Sequence, residues 1–401
     1  MTLKYIFLIL SIVVLFFIFY KQYDFGHRWN HLSKEYMTGL GGCSSQDSPD
    51  SNPPPSCTND YTNSAELPLR EYCVKSCFNS AYDGADVSKD VLMQRIKEGY
   101  RFIDLNVFSA SGDVYVGFSP DNAPKTISSS LLLSDALKTI NDSAFSSATV
   151  FDGSLSNVAS YPVFVHIRVY RPPGSTIDII ANVAKIINGS KSSPPSYASN
   201  YLRTFDSNGN PEPTQIDGCT VLSTMMRKVI FSMDILNILE IYAPINYQSA
   251  SVIPQETVES LQTFVNILTG GSTFPAFYRY TDDSLIYRTN SLGVGNAAIK
   301  GSLQTNVKHM YISFPHPDDV STSATPKNLN ASGVVQPNIK SFINDRSIQF
   351  TPLRVYLADP NLVTYINMFD TIGTPFASMI YVYRYLGSVS EQKKTPSSMS
   401  L

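Results

Sequence analysis

Five polar residues sit where apolar runs end or break: Asn79 after V-K-S-C-F, Asp104 and Asn106 in Y-R-F-I-D-L-N-V-F, and His166 and Arg168 in V-F-V-H-I-R-V-Y. A carboxylate and two amides offer hard oxygen ligands of the kind calcium takes. An imidazole carries protons near neutral pH, and a guanidinium stabilises negative charge. In an extended strand, residues two apart share a face, so His166 and Arg168 point the same way. As a catalyst His166 needs a hydrogen-bonded carboxylate, with Asp104 and Asp234 as candidates. The plainer expectation is a hydrogen-bonded core histidine or an ion-pair partner for Asp104. Arg168 with Asp104 reads as a buried pair.

These residues need elements to hold them. Residues 88–99 predict a helix with Ser88 as its cap and Gly99 as its stop, and 100–108 a strand. A helix is expected over 131–145, a strand over 161–170, a helix over 177–187 and a strand over 228–236. Strands alternating with helices predict parallel βαβ units wound one way, an α/β (β/α)8 TIM-like barrel over residues 71–386. An open doubly wound sheet is disfavoured by the lack of a Gly-rich phosphate loop after any strand. The Ser-, Gly-, Asn- and Pro-rich stretches 189–220 and 271–305 read as surface insertions.

The stretch from Val74 to Phe118 resembles the X region of phosphatidylinositol-specific phospholipase C and its relatives. There the pattern is S-H-N-[ST]-Y, then E-L-D-[CV]-W, then Y-H-G-H-T. Here it becomes Cys77-Phe78-Asn79-Ser80, Asp104-Leu105-Asn106-Val107-Phe108 and Tyr115-Val116-Gly117-Phe118-Ser119. The likeness continues in the last third, where 308–315 looks like the family's strand ending in Tyr-Pro, 348–356 looks like its Gln-Met-Val strand, 361–369 supplies a helix and 379–385 closes the barrel as its last strand. The resemblance implies a TIM barrel and phosphodiester chemistry carried by two histidines, with calcium held by an Asn and acidic residues. Carried over position by position, the histidines fall on Phe78 and Phe118, and a phenyl ring moves no proton. Asn79 is kept, Asp104 and Asn106 are shortened or neutralised ligands, and the remaining glutamate falls on Arg168, whose charge repels a divalent cation. The resemblance therefore implies a degenerate barrel with its calcium site lost. The alternative is an active phosphodiesterase with relocated acid and base. His309 and His316 flank a later strand, and His316, in P-H-P-D-D, reads as a surface turn.

The 401 residues are 16% charged with a net charge of -3, so a nucleic-acid partner is not expected. Residues 5–20 are uncharged and flanked by Lys4 and Lys21. As a helix they span about 24 Å, enough for a single-pass anchor in a locally thinned bilayer. The bulky F-F-I-F-Y end argues against a cleaved signal peptide. The expected organisation is a transmembrane signal-anchor over 1–22, a Ser/Asn/Pro-rich tether over 23–70, the barrel, and a disordered tail over 387–401. Cys43, Cys57, Cys73 and Cys77 lie in the arm or at the barrel mouth and Cys219 lies beyond, a pattern that suits one or two disulfides, with free thiols as the plain alternative. Asn141, Asn188 and Asn330 open Asn-x-Ser triplets that matter only in a lumenal domain. Low charge, many Tyr, Asn and Ser and a short anchor resemble membrane or minor capsid-associated proteins of large DNA viruses. That likeness implies a virion membrane location, with capsid or membrane proteins as partners.

Overall fold

The computed structural model describes residues 67–117, 130–146, 158–170, 178–189, 195–234, 255–269, 276–281, 284–288, 310–315, 338–344 and 348–392. The chain divides into two units, Met1–Tyr61 and Thr62–Leu401, and every described residue belongs to the second. No helix among the described residues is long and apolar enough to cross a membrane. The anchor expected over 5–20, most of the tether, Cys43, Cys57, Phe118, His309, His316 and Asn330 lie outside the described residues.

In chain order the strands open with β1 (Tyr72–Val74) and β2 (Ser76–Cys77), followed by helix α1 (Lys89–Lys97), β3 (Phe102–Ala110), β4 (Asp113–Val116) and β5 (Leu131–Leu132). Helix α2 (Leu133–Ala144), β6 (Val163–Tyr170), helix α3 (Ile179–Asn188), β7 (Arg203–Phe205), β8 (Pro211–Pro213) and β9 (Val229–Asp234) come next. Then follow α4 (Gln255–Gln262), β10 (Ile267–Thr269), β11 (Ala276–Thr281), β12 (Ser284–Arg288) and β13 (Tyr311–Pro315). The chain closes with α5 (Pro360–Ile372), β14 (Phe376–Ser378) and α6 (Met379–Gln392).

The pairing is parallel wherever a helix can return the chain. β10 pairs with β9, β9 with β6, β6 with β3 and β3 with β2, all parallel. Single parallel bridges carry the series onward, Cys77 to Leu353, Val74 to Phe350 and Phe350 to Ile312 of β13, which itself pairs parallel with β11. This mixed α/β order fits a TIM-like ring, and among the described residues no pairing joins β10 to β11 to close it. The ring's interior is aromatic: Phe350 stands 5.2 Å from Phe102 and 5.3 Å from Phe164. Burial of such rings is the main cohesive term.

The helices carry their own start signals. Ser88 Oγ accepts from Val91 N at 3.2 Å, and Asp178 Oδ1 accepts from Ile180 N and Ala181 N at 3.0 and 3.1 Å. α5 starts with Pro360 behind a capping Asp359 and ends on Gly373, whose φ of 80° is the left-handed stop glycine favours. That helix is pinned to the first strands by the Tyr365 hydroxyl, which accepts from Ser76 N at 2.8 Å and donates to Val74 O at 3.2 Å.

Several sequence expectations are corrected. Residues 379–385 are not the last strand; they open α6, because Met379, Val382 and Leu386 are buried at helical spacing while Tyr381 and Arg384 face out. The same helix runs through Gln392, past residue 387 where the tail was expected to start. Residues 348–356 form single bridges at Phe350 and Leu353, not a continuous strand. The supposed insertion 271–305 contributes β11, and 189–220 contributes the β7–β8 hairpin as well as Ile216 and Cys219 to the core. Leu69, placed in the tether, is fully buried.

The cysteines also divide. Cys219 is disulfide-bonded, whereas Cys73 and Cys77 are free and buried, so the arm disulfides expected of those two do not form. Burial pushes both thiols up, that of Cys77 to about 12, which keeps them protonated and unreactive at neutral pH. In native protein at pH 8, maleimide followed by peptide mapping is expected to leave Cys73 and Cys77 unlabelled, with full labelling after denaturation. Rapid labelling of either in the native state contradicts their burial.

Candidate functional site

The turn after β2, the early part of β3 and the later part of β6 converge on one carboxylate. Asp104 is fully buried on β3, and Arg168 on β6 reaches back to it with Nε to Oδ1 at 2.8 Å and an Nη2 to Oδ2 at 2.7 Å. The parallel register aligns Arg168 with Asn106 and His166 with Asp104, so the guanidinium gains Asp104 by folding back one same-face step. Two parallel N–H donors on one carboxylate is the strong, directional form of this contact.

Asn79 completes the clamp. Its φ of 47° is left-handed, a conformation that Asn tolerates better than most residues, and it turns the chain sharply after β2. The turn aims Asn79 N at Asp104 Oδ2, 2.9 Å away, while Asn79 Oδ1 accepts from Arg168 Nη2 at 2.7 Å. Ser80 locks the same corner: its N donates to Asp104 O at 2.9 Å and its Oγ accepts from Asp104 N at 3.0 Å. The guanidinium is thus shared between a carboxylate and an amide oxygen.

Phe78 lies against the guanidinium. The Arg168 Cζ is 4.3 Å from the centre of its ring, and the Arg354 Cζ is 5.9 Å from the same centre. Aromatic faces attract guanidinium groups, more so where water is excluded. Phe78 and Arg354 are 5% and 4% exposed, so little water reaches between them. Behind them the Tyr356 hydroxyl is pushed up to about 12 by burial, with Arg354, Asn79 and Arg168 drawing it partway back. A protonated phenol in that setting is a hydrogen-bonding wall, not a base. Arg354 and Tyr356 were not singled out by the sequence, because their role depends on Leu353 meeting Cys77 across a distant bridge.

His166 belongs to a different layer. It is fully buried, its Nδ1 lies 3.0 Å from Ser232 Oγ and its ring stacks on Phe102 at 5.6 Å. It is therefore a hydrogen-bonded core histidine. It is not the ion-pair partner of Asp104, whose two oxygens are occupied by Arg168 and Asn79. Asn106 is half-buried, and its carbonyl accepts from Gly117 N at 2.9 Å. Gly117 is required where it stands: a Cβ there would come within 2.6 Å of the Phe108 ring. Phe118, the next residue, lies outside the described residues.

A calcium ion does not fit this donor set. The oxygens it would use, Asn79 Oδ1 and both of Asp104, already take hydrogen bonds from one cationic side chain. No group of His, Cys, Asp or Glu among the described residues is arranged to hold a metal ion.

No protein-family model matches the sequence, and no curated protein does. Among solved structures the chain is similar to phospholipase C chains. PLC21 of S. officinalis is 13% identical, covering 79% of this chain and 36% of its own, with a TM-score of 0.41. PLC21 of L. pealei is 10% identical over 79% of this chain and 37% of its own, with a TM-score of 0.42. A calcium-dependent phosphoinositol-specific phospholipase C from a Gram-negative Pseudomonas species is 9% identical over 73% of this chain and 92% of its own, with a TM-score of 0.37. The chain thus spans little more than a third of the two PLC21 proteins. The likeness is weak at these TM-scores, and the site rests on its own geometry.

Removing one partner of a buried pair strands the other charge, so Asp104→Asn is expected to lower stability to urea by about 3–5 kcal/mol. Arg168→Met added to it should cost less than the two single changes summed, by about 1–3 kcal/mol, as contacting residues do. Additive effects in this double-mutant cycle would show that the two side chains act separately.

Proposed function

We propose that the chain is a phospholipase-C-like scaffold without turnover, with a structural or binding role. The observation that carries this reading is the Arg168 guanidinium bound between Asp104 and Asn79. A fixed organic cation then serves where the resembling family uses a metal, and it exchanges neither water nor substrate oxygens. It joins β6 to β3 and to the turn after β2 and leaves no open coordination position. A scaffold of this kind keeps its fold while its site becomes part of the framework.

The reading extends to location and partners. Residues 5–20 would anchor the chain in a lipid bilayer as a single-pass segment, on the strength of their uncharged run between two lysines. In a large DNA virus that arrangement makes a virion membrane protein whose barrel surface meets capsid or membrane proteins. The alternative is an active phosphodiesterase with its acid and base moved elsewhere. It needs an imidazole at the strand ends, and His166, the one histidine among the described residues, is fully buried against Ser232 and Phe102. Phe78 adds a ring where a proton carrier is required. An acid and a base contribute about 10² to 10⁴ each in rate, so an enzyme lacking both retains little.

Incubation of the full chain with phosphatidylinositol and its glycosylated forms, with and without calcium, is the test. The expected result is no product above the protein-free background and no effect of calcium. Robust turnover that His166→Ala abolishes would establish the relocated-catalyst alternative.

A further inference from the structure

Away from the clamp, where the chain enters its strands, lies a cleft of about 750 Å³. Tyr72 opens β1, Tyr161 stands just before β6, Leu222 and Met226 stand just before β9, and α6 with the end of α5 completes the wall. That volume lies within the range of small-molecule sites, about 300–1,000 Å³. Its floor is aromatic and flat. Tyr161 and Phe376 stack at 5.2 Å with 9° between their planes, and Tyr72 meets Phe376 edge-on at 6.2 Å. A planar ring adds to such a group in the offset or edge-on arrangement that aromatic pairs prefer, which a flexible alkyl chain cannot do.

One polar atom at this floor is unmet. Tyr72 is 3% exposed, and its hydroxyl is buried with no hydrogen-bond partner among the described residues. A buried donor in that state is a standing cost that a bound acceptor removes. Burial, then the neighbouring Tyr161 and Glu71, push the pKa of this phenol up, so it keeps its proton and offers it as a donor. The acceptor needs no charge. Arg384, the one charged residue of the lining, is already engaged, its Cζ 5.5 Å from the Tyr381 ring centre. A ring carbonyl is a neutral acceptor that leaves an aromatic molecule flat.

We propose that this cleft binds a neutral, planar, fused-ring aromatic ketone, its rings against Tyr161 and Phe376 and its carbonyl oxygen accepting from the Tyr72 hydroxyl. The site is separate from the Asp104 clamp and does not depend on whether the chain turns over any substrate. Photolabelling of the full chain with a diazirine-bearing fluorenone, followed by peptide mapping, tests it in any lipid environment. Label is expected within residues 222–226 or 371–388, displaced by fluorenone and displaced about tenfold less well by fluorene, which is equally flat but carries a methylene in place of the carbonyl. Tyr72→Phe removes the hydroxyl and keeps the ring. Because that hydroxyl has no partner to lose, the urea midpoint should not fall, and fluorenone and fluorene should then displace the label equally well. Ser388 lies exposed at the rim, so Ser388→Trp fills the cleft without touching the core, and it should remove the label. The proposal is overturned by no label at those residues, by equal displacement in the unaltered chain, or by label that persists in Ser388→Trp. A fluorenone preference that survives Tyr72→Phe, or a urea midpoint lowered by that change, overturns it as well.

Discussion

Several charged side chains are buried, Arg101 and Lys75 among them, and the site depends on how one of them, Asp104, is answered. Asp104 lies wholly out of water in the middle of the parallel strands, and an isolated carboxylate there would cost several kcal/mol. Arg168 answers it from the neighbouring strand, Asn79 N from the turn before, and Phe78 covers the guanidinium. Each contact needs another in place. The left-handed turn at Asn79 aims two of the clamp's polar atoms, and Ser80 holds that turn to β3. The clamp thereby ties the turn after β2 to β3 and β6.

That fixing has a functional consequence. A metal ion at such a place leaves positions open for water or substrate and changes the acidity of what it binds. A guanidinium does neither. Its Nε and Nη2 donors are engaged by Asp104 and Asn79, and its face rests on an aromatic ring. The clamp is rigid and offers no exchangeable coordination position. Distant parts of the chain reinforce it: Leu353 bridges to Cys77 and brings Arg354 and Tyr356 up to Phe78, while Tyr365 ties α5 to the start of the same strand.

Much of this was legible where the signal is local. Ser88 and Gly99 mark α1, and the period-two pattern of V-F-V-H-I-R-V-Y both marks β6 and puts His166 with Arg168 on one face. The proximity of Asp104 and Arg168 follows from those two strands being neighbours. What was not legible depends on register or on period in ambiguous stretches. That His166 would meet Ser232 is set by the pairing of β6 with β9, sixty-six residues apart. The run I-Y-V-Y-R-Y has the composition of a strand, and only the spacing of Met379, Val382 and Leu386 makes it a helix. β10 is three residues long, and β11 sits in a Gly- and Ser-rich stretch, so neither stands out from its surroundings.

The central claim is that the Arg168 side chain fills the position between Asp104 and Asn79. Crystals of the full chain, grown in millimolar calcium and measured for anomalous scattering, test it directly. The account predicts density for the Arg168 guanidinium against Asp104 and Asn79, with no anomalous peak beside them. A metal peak bonded to those two residues, with Arg168 turned away, would contradict it.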